Sequence, residues 1–136
     1  MYHKNRKAMT LVEVLMATLV FLIAVPSILQ GLIGIMAVAD NAKDRNIATT
    51  DLQSMLESIK AVPFDDVVTR FPDNIANGPV SNPYSNITGN YTLDNEQITV
   101  RYANPGSDPL EINTTVSWRD KRGGGRNALM HTFRTR

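Results

Sequence analysis

Residues 14–39 form a run of 26 residues without a charged side chain, longer than the ~20 an α-helix needs to cross a bilayer core. The apolar stretch begins at Met9-Thr10-Leu11-Val12-Glu13-Val14-Leu15-Met16-Ala17 and contains one acid, Glu13. A carboxylate at the centre of a bilayer costs on the order of 2.5–3.5 kcal/mol on insertion scales, and less towards the interface. An acid in such a segment therefore calls for a partner.

Charge is distributed unevenly around this run. The leader before it, residues 1–8, carries Lys4, Arg6 and Lys7 and no acid. Residues 40–111 hold eleven acids against five bases, and residues 112–136 hold six bases against one acid, Asp120. The basic leader satisfies the positive-inside bias, which places the N-terminus in the cytoplasm and everything after Ala39 outside. About 97 residues then remain for a folded domain, enough for a modest core. With no cysteine in the chain, that core has no disulfide and must be held by packing. His3 and His131 are isolated, no metal-ligand spacing occurs, and no nucleophile–base pair, phosphate loop or catalytic carboxylate pair is seen. No enzyme activity, metal or cofactor is expected.

The helical pattern continues past the apolar run. Ala48, Leu52, Met55, Leu56 and Ile59 recur on one face, with Asp51, Gln53, Glu57 and Lys60 around it. No Gly or Pro lies between Met36 and Val62, so one helix should run from the apolar segment (9–39) through an amphipathic continuation (40–62) and stop at Pro63. Its first half is hydrophobic all round and its second half on one side. Pro26 removes a backbone hydrogen bond, and Gly31 and Gly34 weaken the turns that follow. A kink or a locally melted turn is expected across residues 24–34.

Residues 63–89, rich in Pro, Asn and Gly, read as a long surface connection. Within 90–136, strands are expected at 90–93, 97–103, 112–118 and 128–133, with a hairpin loop across 119–126. Ile98, Val100, Tyr102, Ile112, Val116, Trp118, Leu129 and Phe133 should line one buried face of an antiparallel sheet against the helical stripe. The fold class is α+β.

A basic leader, the small residue Ala8, then Met9-Thr10-Leu11-Val12-Glu13-Val14-Leu15-Met16-Ala17 resembles the N-terminus of type IV prepilins and of the pseudopilins of type II secretion. The resemblance covers residues 1–39; beyond them only the layout of helix, loop and C-terminal sheet is similar. It implies a type IV pilin-like fold, cleavage by the prepilin peptidase between Ala8 and Met9, and N-methylation of Met9. Glu13 becomes the fifth mature residue, the family's characteristic acid. Ala8 stands where the family prefers Gly, and Pro26 lies about a turn before the family's usual helix-breaking proline. The Glu13-Val14-Leu15-Met16-Ala17 wording, the ending Val116-Ser117-Trp118-Arg119-Asp120 before a Gly-rich turn, and the missing disulfide are more similar to minor pilins and minor pseudopilins than to the abundant subunit.

The resemblance further implies the inner membrane as first location and assembly with other pilins or pseudopilins. The Met9 amine of one copy would meet Glu13 of the next, on an inner-membrane assembly platform. Arg119, Lys121, Arg122 and Arg126 form a basic loop that is a candidate contact for DNA phosphate or for the acidic flank of a neighbouring subunit, a solvated loop being the plainer reading. The rival architecture is a monomeric binding domain, either anchored by a single span or secreted after cleavage at Ala37-Val38-Ala39. For a secretory signal, however, the apolar region far exceeds the usual ~7–15 residues and Glu13 falls inside it.

Overall fold

The computed structural model describes residues 10–136; Ala8 and Met9 lie outside the described residues. The chain divides after Asp40 into two compact units. One helix, α1 (Leu11–Ala61), supplies almost all of the described part of the first unit and the opening of the second. It starts with Glu13 in its first turn, contains Pro26 without interruption, and stops before Pro63.

In the first unit the helix is unbroken across residues 24–34, so the melted turn expected there is absent. Pro26 leaves the Leu22 carbonyl without its usual N–H donor, and next to it the Ser27 hydroxyl donates to the Ile23 carbonyl at 2.8 Å. Intrahelical bonds on both sides hold the turn, because in an all-apolar segment no alternative geometry satisfies more of the backbone.

The second unit, Asn41–Arg136, places the amphipathic end of α1 on a three-stranded antiparallel sheet in the order β1 (Gln97–Tyr102), β2 (Leu110–Arg119), β3 (Gly125–Arg134). Ala48, Leu52, Met55, Leu56 and Ile59 from the helix join Ile98, Val100, Ile112, Val116 and Trp118 from the sheet in one core. The register pairs Ile98 with Val116, Val100 with Thr114, and Tyr102 with Ile112. Even-numbered positions thereby face α1 on all three strands.

Two expectations fail here. Leu129 and Phe133 do not line the buried face: they pair with Thr115 and Glu111 and stand on the outer face, 62% and 59% exposed. The inner positions of β3 are Ala128 and Met130. A shift of one residue reverses every side chain of a strand, and the unbroken Ala128-Leu129-Met130 run leaves the phase open. Residues 90–93 are not a strand either. Gly89 (φ +78°) and Asn90 (φ +97°) turn the chain in the left-handed region. The Thr92 and Leu93 N–H groups donate to Glu96 Oε2, at 3.2 and 3.0 Å, rather than to a neighbouring strand.

Residues 63–89 are more than a surface connection. They contain a 3₁₀ turn (Phe64–Asp66) and two single-turn helices, α2 (Val67–Arg70) and α3 (Ser85–Thr88). They also send Val67, Phe71 and Tyr84 into the core. The Phe71 and Tyr84 rings lie 6.1 Å apart, and the Tyr102 hydroxyl donates to the Phe71 carbonyl at 2.7 Å. Gly78 (φ +74°) passes so close to Tyr84 that a Cβ would stand 2.6 Å from the ring. The segment also reaches β1. Asn74 and Asn77 N–H donate to the Val100 and Ile98 carbonyls, while the Asn77 and Asp73 side chains accept from the Ile98 and Tyr102 N–H groups. At the far side of the sheet the Arg134 guanidinium donates to the carbonyls of Ile59 and Val62, closing the C-terminal end of α1.

Candidate functional site: the apolar helix and Glu13

The first turn of α1 is fixed by Thr10. Its hydroxyl accepts from the Glu13 N–H at 3.3 Å, and its carbonyl accepts from Glu13 and Val14 at 3.0 and 3.2 Å. A threonine before the first helical residue with a glutamate three positions on has the spacing of a capping box, Thr10-x-x-Glu13. The positive end of the helix dipole also favours a carboxylate there. Glu13 thus stands in the one part of an apolar helix that stabilises an anion, a second reason for its position beside the need for an external partner. This signal was present in the sequence as Thr-Leu-Val-Glu.

Beyond Glu13, nearly every large apolar side chain up to Val38 is exposed, with Leu22 at 71% as an example. The hydroxyls in this stretch turn inward: Thr18 donates to the Leu15 carbonyl at 2.9 Å, as Ser27 does to Ile23. Gly31 and Gly34 have open space where a Cβ would stand, so they offer a bare patch of backbone to a close neighbour. The helix is long and apolar enough to cross a membrane, by length and composition. Its chemistry is that of a surface with a single carboxylate near one end, suited to lipid or to the apolar side of other helices.

The basic loop is more constrained than its composition implies. Asp120 Oδ1 accepts from the N–H groups of Gly124 (2.8 Å) and Arg122 (3.0 Å), and Asp120 Oδ2 takes the Arg126 guanidinium at 3.0 Å. The Gly124 N–H, with Arg126 and the Arg122 N–H, holds the Asp120 carboxyl below the usual carboxylate range. Arg126 therefore organises the turn. Arg119 and Arg122 are exposed, and Lys121 also has an interaction within the protein. A shallow cavity of about 410 Å³ at this end is lined by Arg119, Arg126, Asn95, Gln97 and Trp118 among others. The four bases are thus brought to one end of the sheet but do not form a single open cationic patch.

The structure assembles one pair that sequence reasoning missed. Asp51, expected beside the apolar stripe, lies within it at 5% exposure, and Glu96, just before β1, is equally buried. Loss of water raises the Asp51 pKa to about 6, helped by the charge of Glu96 and a hydrogen bond to it. Asp51 Oδ2 and Glu96 Oε1 have no hydrogen-bond partner, so burial and the neighbouring carboxyl favour the protonated form of Asp51. Asp51 is three residues after Ala48 and four before Met55, a spacing that already places it on the buried face. Neither acid lines the cavity at the basic loop, and among the described residues no cluster has the groups to hold a metal ion.

Compared with protein-family models, with curated proteins and with solved structures, the chain finds no match.

Proposed function

We propose that the chain is a minor pilin or pseudopilin precursor, which anchors in the inner membrane with its N-terminus cytoplasmic and then assembles into a type IV pilus or type II secretion pseudopilus. The observation that carries this reading is Glu13: the lone acid of the exposed, all-round apolar stretch of α1 up to Ala39, in the first turn behind a basic leader. Cleavage after Ala8 frees the Met9 amine, whose unperturbed pKa of about 7.7–8.0 keeps it cationic at neutral pH, and N-methylation preserves that charge. The amine of one subunit meets the Glu13 carboxylate of another. Because both charges lose water, the pair fixes register while apolar packing of the helices supplies the attraction. Such a contact is head-to-tail, so repetition builds a helical filament. The sheet-bearing unit would be carried outside as a folded cargo, in a tip or initiation complex.

Mass spectrometry of the mature N-terminus tests the reading. A methylated Met9 is expected. An Asp40 start would establish a secreted domain, and an intact Met1 a plain single-span anchor; either overturns the proposal. Glu13→Ala is expected to insert in the membrane as well as the parent and to be lost from the filament fraction, and normal incorporation would remove Glu13 from the mechanism.

A further inference from the structure

The two edges of the sheet are treated differently. On β1, the outward groups of Ile98, Val100 and Tyr102 are taken by the 73–77 segment: both polar groups of Ile98, the Val100 carbonyl and the Tyr102 N–H. This assigns the phase of the whole ladder. If even-numbered residues of β1 point outward, its odd-numbered residues bond to Asn113, Thr115 and Ser117 of β2. The even-numbered residues of β2 then bond to the even-numbered residues of β3, Arg126, Ala128, Met130, Thr132 and Arg134. The outward N–H and C=O groups of β3 therefore belong to Gly125, Asn127, Leu129, His131 and Phe133. Among the described residues β3 pairs with β2 alone, and no loop backbone bonds to its outward groups as the 73–77 segment does to β1.

An open edge of ten residues is a template for another strand, and sheets ordinarily blunt such edges with lysine, proline, a bulge or a covering loop. The β1 edge has the covering loop. The outward positions of β3 hold no lysine, proline or acid, and three of them, Leu129, His131 and Phe133, present apolar and aromatic groups on the outer face, the His131 and Phe133 rings edge to face at 6.2 Å. The two arginines of β3 are committed inward, Arg126 to Asp120 and Arg134 to the end of α1. Residues 119–136 together carry six bases and one acid. A second β3 would bring like charges together along the seam, which disfavours pairing between copies.

We propose that the free edge of β3 is a docking site for an extended acidic segment of a partner protein, added antiparallel as a fourth strand with acids alternating with apolar residues. Its backbone would satisfy the outward groups of residues 125–133. Its apolar side chains would lie beside Leu129 and Phe133, and its acids would be drawn by the net positive charge of residues 119–136, where Arg119 and Arg122 are exposed. Recognition by strand addition takes affinity from the main chain and selectivity from alternate side chains. The proposal stands apart from the filament reading, since it depends on the sheet alone.

The test uses the full chain in non-ionic detergent micelles and a nine-residue peptide alternating valine and glutamate, with a valine–lysine peptide as control. Residue-resolved amide exchange should slow at least tenfold at Asn127, Leu129, His131 and Phe133 with the acidic peptide and stay unchanged with the basic one. Leu129→Pro removes one outward N–H and leaves the bonds to β2 in place; it should weaken acidic-peptide binding about tenfold. Unchanged exchange at the odd-numbered positions overturns the proposal, as does equal binding of the basic peptide, or full binding by a folded Leu129→Pro variant. Protection produced by phosphatidylglycerol-containing micelles without peptide would also overturn it, assigning the edge to a lipid surface. Should Leu129→Pro fail to fold, the exchange pattern of the parent chain decides alone.

Discussion

Along the first half of α1, up to Asp40, nearly every large apolar side chain is exposed, whereas along the second half Ala48, Leu52, Met55, Leu56 and Ile59 are buried against the sheet. Both halves are helical and neither contains a strong internal break. The contrast lies in what satisfies the apolar surface. In the second half it is this chain's own sheet, so the stripe is one-sided and polar residues such as Gln53 and Lys60 take the remainder. In the first half the large apolar side chains are exposed among the described residues, and the composition is apolar on every side. A helix that is hydrophobic all round yet uncovered by its own fold is built for surroundings other than water.

Truncation at matched positions should separate the halves most clearly. Ile59 is fully buried, and Ile59→Ala is expected to lower stability by about 2–5 kcal/mol, the usual cost of emptying a core site. Leu29→Ala, in the exposed half, should leave stability within about 0.5 kcal/mol in detergent. The chain has one tryptophan, Trp118, 5% exposed at the end of β2, so denaturant unfolding followed by its fluorescence reports on the packed half alone. Equal effects of the two substitutions would show that the exposed half also rests on the folded unit.

The buried acid pair gives the second contrast, because the exposed half carries its acids only at its ends, Glu13 and Asp40, whereas the packed half buries Asp51 within its apolar stripe. The folded-state pKa of Asp51, about 6, lies above its ordinary value of 3.8. The folded state thus binds the proton more tightly, and the stability it contributes is full below about pH 4 and lost as pH rises towards 6. The loss is on the order of 3 kcal/mol. Asp51→Asn should flatten this portion of the profile and raise stability at pH 7.5, read as urea midpoints at pH 4.5 and 7.5. A variant as pH-sensitive as its parent would place the titration elsewhere.

What could be read from the residues follows the range of the interactions involved. The end of α1 at Pro63 and the stripe from Ala48 to Ile59 are set by neighbours within one or two turns, and their spacing shows them. Thr10 with Glu13 is equally local and was visible. Asp51 obeyed the same spacing, but an acid on an apolar stripe makes sense only once Glu96, 45 positions later, is placed beside it. The inward phase of β3 was hidden because Ala128, Leu129 and Met130 suit either face, and only pairing with β2 chooses. The turn at Gly89 and Asn90, and the loop that seals β1, depend on left-handed backbone and on hydrogen bonds across more than twenty residues, which no period in the sequence encodes. The site outside the described residues, Ala8 and Met9, rests on the motif alone.

The smallest expected effect sharpens the comparison at the start of the helix. Thr10→Ala removes the hydroxyl that accepts from the Glu13 N–H; losing such a cap costs about 1 kcal/mol. That cost should be local. Amide exchange at Glu13 should accelerate about fivefold in micelles, while exchange at Met55 and Ile59 and the Trp118 unfolding midpoint stay unchanged, since the folded unit does not rest on the first turn. Thr10→Ser, which keeps the hydroxyl, should restore protection. If the cap variant instead shifts the Trp118 midpoint by as much as it loosens the first turn, the two halves of α1 behave as one cooperative element, and the distinction drawn between them would hold for their surfaces but not for their stability.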